Sequence, residues 1–238
     1  DILHQPERVI IEYNGMWLVS NFEKMQLPTG WGVEQQITCV DGSTFQMYMA
    51  NMKSIFMDMI KNTDMVIFNR CKKEDPLPTY RRGIKVANQR AEVIFEDEEG
   101  ELGDIFQDEM PFDMNAPVIE ILPEDYGIWF VDAMDHPENY EGKTVKFKAR
   151  VMKPRGMGSK FFVPGRTAMT CCADDTTFLG YVCKSAYAPK LTPGEWVEVT
   201  AKVGIEKRNE YQGEEGIVLD AEHVEQCDPL EDEMVYFN

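Results

Sequence analysis

The adjacent cysteines Cys171 and Cys172 are the residues of this chain with the most distinctive chemistry. Thiolates bind zinc and copper(I), and Asp175, Cys183 and His223 are residue types that complete such sites when a fold brings them together. The spacing argues against this, because adjacent cysteines on a strand point to opposite faces and no Cys-x-x-Cys pair is present. The alternative is that one cysteine packs in a core and the other lies under a loop.

A basic segment is the second candidate site. Eight lysines and arginines and no acid lie between Lys143 and Arg166, in a chain of net charge -18. Strand faces and loops of this kind bind single strands or sugars in OB barrels, small five-stranded Greek-key barrels, and Phe161 or Phe162 supplies a stacking surface. The candidate ligand or nucleic-acid face comprises Lys146, Lys148, Arg150, Arg155, Lys160, Phe162 and Arg166.

Two further interpretations of the basic segment stay open. Acids on neighbouring strands, such as Glu198 and Glu206, would make it an ordinary solvated face. It could also contact the acidic first part of the chain or an acidic partner. The overall charge of -18 repels nucleic acid on average, so a nucleic-acid partner requires a local basic surface.

Catalytic signatures are sparse. The chain has three histidines and lacks the Gly-x-Ser-x-Gly elbow, the phosphate-binding glycine loop and the His-Glu-x-x-His motif. A cysteine nucleophile at Cys171 or Cys172 would need a histidine, and His223 is the one candidate. We therefore expect a protein that binds rather than an enzyme.

The elements that position these residues begin with an N-terminal region that we predict to be β-rich with one packed helix. A hairpin is predicted over residues 7–20 around Asn14-Gly15, and strands are predicted at 31–40, 64–69 and 84–95. The helix follows from one apolar face at helical spacing, formed by Phe45, Met49, Met52, Phe56 and Met59.

Prolines at 111, 117 and 123 predict a domain boundary near residue 120, which separates domains at 1–120 and 121–238. A short helix, Tyr126 to about Asp135, opens the second domain. Five strands are predicted to follow, at 143–152, 160–169, 176–184, 195–205 and 216–225. This pattern predicts a C-terminal five-stranded OB-like barrel, so the fold class is mostly β (α+β).

Four segments of the second domain are distinctive: NYEGKTVKFKARV at 139–151, FFVPGRTAMTCCADDTTFLGYVC at 161–183, GEWVEVTAKV at 194–203 and the closing Tyr236-Phe237. In these segments the domain resembles the C-terminal domain of the YcgQ-like family of bacterial envelope proteins. The most specific element of this resemblance is an Arg-x-x-Met-x-Cys-Cys-x-x-Asp pattern that includes Arg166 and Met169. The resemblance implies an OB-like domain, an extracytoplasmic location and a membrane permease or other envelope protein as partner. It implies no established activity.

The functional expectation is accordingly a non-enzymatic binding protein of the bacterial envelope. Nucleic-acid or polyanion binding by the basic face and zinc or copper binding by the cysteine cluster are the alternatives. No apolar run reaches the roughly 18 residues of a membrane helix. The chain begins at Asp1, from which we expect a processed or truncated product that has lost a signal peptide or a lipid anchor.

Overall fold

The computed structural model describes residues 6–103, 110–169 and 176–235. The chain divides into two compact units. The first contains the described residues up to Lys73 and those from Arg90 to Leu102, and the second contains Glu74–Gln89 and the described residues from Gly103 onward. Whether 1–120 and 121–238 fold as independent domains stays a prediction.

The first unit is built on a three-stranded parallel sheet. Its strands are β1 (Ile37–Asp41), β2 (Met65–Asn69) and β3 (Glu92–Phe95), in the order β1-β2-β3. Helix α1 (Val19–Glu23) precedes β1, and α2 (Phe45–Ile60) connects β1 to β2. A parallel pair requires such a crossover. The apolar stripe predicted for the packed helix lies on α2, and Phe45 packs edge-to-face on Phe56 and Phe68.

The N-terminal predictions were partly wrong. Residues 7–20 form no hairpin: the turn at Asn14 exists, but no strand flanks it and α1 begins at Val19. The strand predicted at 31–40 begins only at Ile37. The segment 84–95 contains the end of a helix, α3 (Leu77–Ala87), and then the short β3. Helix α3 belongs to the second unit.

The second unit contains a closed five-stranded barrel, as predicted. In the order in which they pair around the ring, the strands are β5 (Thr144–Met152), β6 (Phe161–Met169), β8 (Val182–Lys184), β10 (Glu215–Gln226) and β9 (Trp196–Lys207). Pairing of β9 with β5 closes the ring. Strand β7 (Thr176–Gly180) extends the pairing of β6. Strands β8 and β10 pair in parallel, whereas the other pairings within the ring are antiparallel.

Two short strands join the ring from outside. They are β4 (Ile119–Glu120), which pairs with β5, and β11 (Met234–Val235), which pairs with β6. In the ring the first strand pairs with the second and the fourth, and the third pairs with the fifth. This Greek-key closure is that of an OB barrel.

Strict alternation explains why these residues form the barrel. In β5, Val145, Phe147, Ala149 and Val151 are buried, whereas the residues between them are half-buried or exposed. Helix α4 (Tyr126–Asp135) matches the predicted helix and adds Trp129 to the core, where its ring lies 4.8 Å from that of Phe147. The Tyr126 hydroxyl donates to the Leu179 carbonyl at 3.0 Å.

Ion pairs link helix α3 to helix α4. The Asp135 carboxylate, with a side chain 9% exposed, lies 3.1 Å from Arg81 and 3.3 Å from Lys85. Within the part of the chain that the structure describes, no helix combines the length and the apolar character needed to cross a bilayer.

Candidate nucleic-acid or polyanion interface

The basic strand face predicted on β5 faces outward and is partly balanced by acids. Lys146 lies 3.0 Å from Glu198 and 4.0 Å from Glu120, and the hydrogen bond with Glu198 raises the pKa of Lys146. Lys148 stands opposite Glu198 in the strand register. These contacts match the alternative of a solvated face balanced by acids. Arg150 lies farther along this face, where its Nε donates to the Gly194 carbonyl at 3.1 Å.

Phe162 and Arg166, predicted on the same exposed face, point into the barrel instead. Phe162 is fully buried and Arg166 is 2% exposed. The reason is the period of two along β6, because both residues have the same parity as the buried Ala168. Phe162 therefore offers no stacking surface to a ligand, and Arg166 is not part of an exposed cationic face.

Arg166 instead holds the end of the chain to the barrel. Its guanidinium donates to the carbonyls of Asp232 and Met234, both at 3.0 Å, and to that of Pro123. It lies 5.6 Å from the centroid of the Tyr126 ring. Its Nε has no hydrogen-bond partner among the described residues, and burial lowers the pKa of the guanidinium. No carboxylate of the described residues accepts a hydrogen bond from it.

A different cationic surface lies where the loop between β5 and β6 meets the loop between β9 and β10. Phe161 is half-buried and pairs with Lys184 across β6 and β8. The Arg208 guanidinium stacks on Phe161, with its carbon 4.3 Å from the ring centroid. The backbone of Lys160 lies beside that of Ser185, because its carbonyl accepts a hydrogen bond from the Ser185 amide at 2.9 Å. We define the loop face as Arg155, Lys160, Phe161, Lys184 and Arg208.

Charge is distributed unevenly on the loop face. Arg208 is paired with Glu210 at 3.0 Å and Glu206 at 3.6 Å, and its bond to Glu210 raises the pKa of Arg208. Arg155, Lys160 and Lys184 are exposed and form no salt bridge with any residue of the described ranges. The face therefore presents three cations without a salt bridge in the described part of the chain, and one of them, Lys184, stands opposite the ring that Arg208 contacts.

The loop that carries Arg208 is tied to the barrel. The Tyr211 hydroxyl donates to the Ile217 carbonyl at 2.5 Å and accepts from the Val182 amide at 3.2 Å. The Tyr211 ring lies against Gly216, where a Cβ would approach its Cδ2 to 2.5 Å. A binding surface held in place before the ligand arrives loses less conformational entropy on binding.

The predicted metal cluster is not assembled among its described members. Cys183 points into the core and is fully buried, whereas the side chain of His223 is 66% exposed. The two cannot meet at one ion, because one lies inside and the other outside the barrel. Cys171, Cys172 and Asp175 lie outside the described residues. Within the described ranges, no three His, Cys, Asp or Glu side chains are grouped for a metal.

Cysteine burial predicts an order of reactivity. Burial raises the pKa of the Cys183 thiol, and Cys71 is also buried, whereas Cys39 is exposed on the edge strand β1. We expect a maleimide at pH 8 to modify Cys39 rapidly and to reach Cys71 and Cys183 only after unfolding, as measured by peptide mass spectrometry. Rapid labelling of Cys183 in the folded chain would contradict the buried position.

Lys184 and Arg208 were missed by the sequence analysis. They are separated from Phe161 by 23 and 47 residues, and only the pairing of β6 with β8 and the position of the β9–β10 loop bring the three together. A signal existed nonetheless. The predicted OB barrel places the loop after its fourth strand beside the ligand face, and Arg208 lies in that loop.

Comparison with known families and structures gives one family match. The model of the DUF1980 C-terminal domain matches residues 101–237. No curated protein sequence matches the chain significantly.

The solved structures similar to this chain include two distinct kinds of protein. The mitochondrial single-stranded DNA binding protein Rim1 of S. cerevisiae is 10% identical, with 37% of this chain and 97% of that one covered, at a TM-score of 0.23. A putative aspartyl-tRNA synthetase from Leishmania major Friedlin is 18% identical, over 48% of this chain and 21% of that one, at 0.26. The aspartyl-tRNA synthetase of Entamoeba histolytica is 15% identical, with 50% and 27% covered, also at 0.26.

Proposed function

The chain belongs to the DUF1980 C-terminal domain family, and we propose that it is a non-enzymatic binding protein of the bacterial envelope. Its OB barrel binds a linear anionic polymer through the loop face. One observation supports this most strongly: Arg155, Lys160 and Lys184 are exposed without a salt bridge to described residues, and Lys184 stands opposite Phe161, whose ring Arg208 contacts. In OB barrels this end of the second and third strands, with its two flanking loops, is the surface that holds polymers.

The chemistry of the loop face favours phosphate-bearing polymers. Lysine and arginine attract phosphates without reading sequence, and an aromatic ring stacks on any base for about 1–3 kcal/mol per base. The net charge of -18 opposes this attraction at long range, so the affinity depends on the local cations. Two sources fit this chemistry, namely a single-stranded nucleic acid and a polyphosphate-type envelope polymer.

Charge reversal on the loop face tests the proposal. In Lys160→Glu/Lys184→Glu, we expect the affinity for a fluorescent dT12 oligomer at 50 mM salt to fall by about tenfold or more, because two cations become two anions. Anisotropy measures the affinity, and competition by inorganic polyphosphate separates the two sources. If polyphosphate competes as well as unlabelled dT12, base stacking contributes little.

A matched control comes from the outward face of β5 and β9. Lys148→Glu/Lys202→Glu makes the same change in net charge away from the loop face, and we expect less than a threefold loss. Equal losses of affinity in the two double variants would show that binding depends on the overall charge and not on the loop face. A larger loss in the control would place binding on the strand face instead. No measurable binding by the wild-type chain at 50 mM salt would refute the proposal.

The envelope location is supported by the resemblance to the YcgQ-like family, which also suggests a permease partner. Fractionation of the native bacterium with an antibody to this chain tests it. We expect the full-length protein in the membrane or extracytoplasmic fraction, and recovery only with cytosolic markers would refute the location without affecting the loop-face proposal.

A further inference from the structure

A cleft of about 180 Å³ opens on the second unit at the seam between β5 and β6. The two strands pair as far as Arg150 and Gly165, and β11 then becomes the neighbour of β6 through Met234 and Thr167. The cleft lies at the point along β6 where its pairing with β5 ends and its pairing with β11 begins. It is lined by Arg150, Arg166, Thr167, Trp196, Glu233 and Met234.

The lining of the cleft carries two arginines and one carboxylate. Within the described residues, Arg166, 2% exposed, donates to main-chain carbonyls and its Nε–H has no acceptor. Arg150 stands on the outer side of the cleft, where it forms a loose ion pair with Glu233 at 3.8 Å and both side chains are about half exposed. Among the described acids, Asp232 and Glu124 act on Arg166 through their charge, but their carboxylates accept no hydrogen bond from it. An anion placed beside the buried guanidinium relieves the cost of its desolvation.

The uncharged lining of the cleft consists of two apolar side chains and one hydroxyl group. Trp196 is 6% exposed and Met234 is half-buried, so together they give the cleft an apolar wall. Thr167 adds one hydroxyl. Clefts with an apolar wall and a few convergent polar groups are typical of small-molecule sites.

We propose that this cleft binds a small organic carboxylate, with its charge between Arg150 and the Arg166 side of the cleft and its apolar body on Trp196 and Met234. The guanidinium fork matches the two oxygens of a carboxylate. The volume limits the ligand to about the size of a benzoate, since a water molecule takes about 30 Å³. The site shares no residue with the loop face, and this proposal does not depend on polymer binding.

Benzoate serves as the probe and neutral benzamide as its isosteric control. In the ¹⁵N spectrum of the full chain we expect benzoate to shift the Trp196 indole N–H in a saturable way, and benzamide to shift it far less. Arg150→Gln should weaken benzoate binding about tenfold, the loss expected for one charge-assisted hydrogen bond. Glu233→Gln should strengthen binding, because Glu233 competes for Arg150.

Arg155→Gln is the matched control, since it removes an exposed arginine of the loop face and leaves the cleft intact. Its affinity for benzoate should equal that of the wild type. Three results would each overturn the proposal: equal shifts with benzoate and benzamide, unchanged affinity in Arg150→Gln, or no saturable shift at Trp196. All three variants alter exposed side chains, and an unchanged dispersion of the remaining resonances verifies their fold.

Discussion

Alanine at Gly165 is expected to lower the free energy of unfolding of the barrel by about 3 kcal/mol, the range of overpacked cores. A Cβ there would lie 2.3 Å from the Leu179 carbonyl oxygen and 2.4 Å from Cε1 of Phe178. The first of these is backbone of the paired strand β7, so the side chain cannot be accommodated by a rotamer change. The strands must separate where β6 pairs with β7.

Urea unfolding followed by tryptophan fluorescence measures this effect. Trp129 and Trp196 are buried in the second unit, and replacement of the exposed Trp17 and Trp31 by phenylalanine leaves these two as reporters. Gly204→Ala is the matched control in β9, because its Cβ would meet the Val218 carbonyl oxygen at an ordinary 3.7 Å. Equal stability of the two variants would show that β6 and β7 are not packed as closely as described.

Arg166→Met is expected to destabilise the barrel by about 2–3 kcal/mol. The substitution removes the charged donor for the carbonyls of Pro123, Asp232 and Met234, and a hydrogen bond from a charged group contributes about 1 kcal/mol or more. Loss of a poorly solvated charge offsets part of that cost. We expect the first effect to exceed the second, because three acceptors lose their partner at once.

The same fluorescence titration compares Arg166→Met with Arg150→Met, whose side chain is exposed and donates to one described carbonyl, that of Gly194. We expect the control to change stability by less than about 1 kcal/mol. Amide exchange should also rise at Met234 and Val235 in Arg166→Met alone, because the guanidinium binds this segment. Unchanged or greater stability of Arg166→Met would mean that the buried charge costs more than its three bonds contribute.

The barrel could be predicted from the sequence because its strands are amphipathic at a period of two. The alternation of Val145, Phe147 and Ala149 identifies both the strand and its buried face. The two-residue strands β4 and β11 have no such pattern. Each of them pairs only because the folded chain runs alongside a strand of the closed ring, which a local sequence pattern does not show.

The N-terminal errors have a different origin. The turn at Asn14-Gly15 does form, since the Trp17 amide donates to the Asn14 carbonyl at 3.0 Å, but a hairpin also needs a surface that buries one face. Ile10 remains 92% exposed. For α3, the proline at position 78 in its first turn was the missed signal, because proline is favoured where helices begin.

The candidate site was only partly accessible from the sequence. The outward direction of Lys146 and Lys148 follows from local alternation, whereas the ion pair of Lys146 with Glu198 depends on β9 lying beside β5. Arg166 could have been placed inside, because it has the same parity as Ala168 in one strand. The guanidinium on Phe161 comes from Arg208, and that contact exists only after ring closure.

The location of polymer contact is the central claim, and amide chemical-shift mapping of the full chain with dT12 tests it most directly. We predict that the largest shifts occur at the loop face, at Lys160, Phe161 and Lys184 and along the loop that carries Arg208. Shifts concentrated on Lys146 and Lys148, or a titration to excess dT12 at 50 mM salt without shifts, would contradict the account.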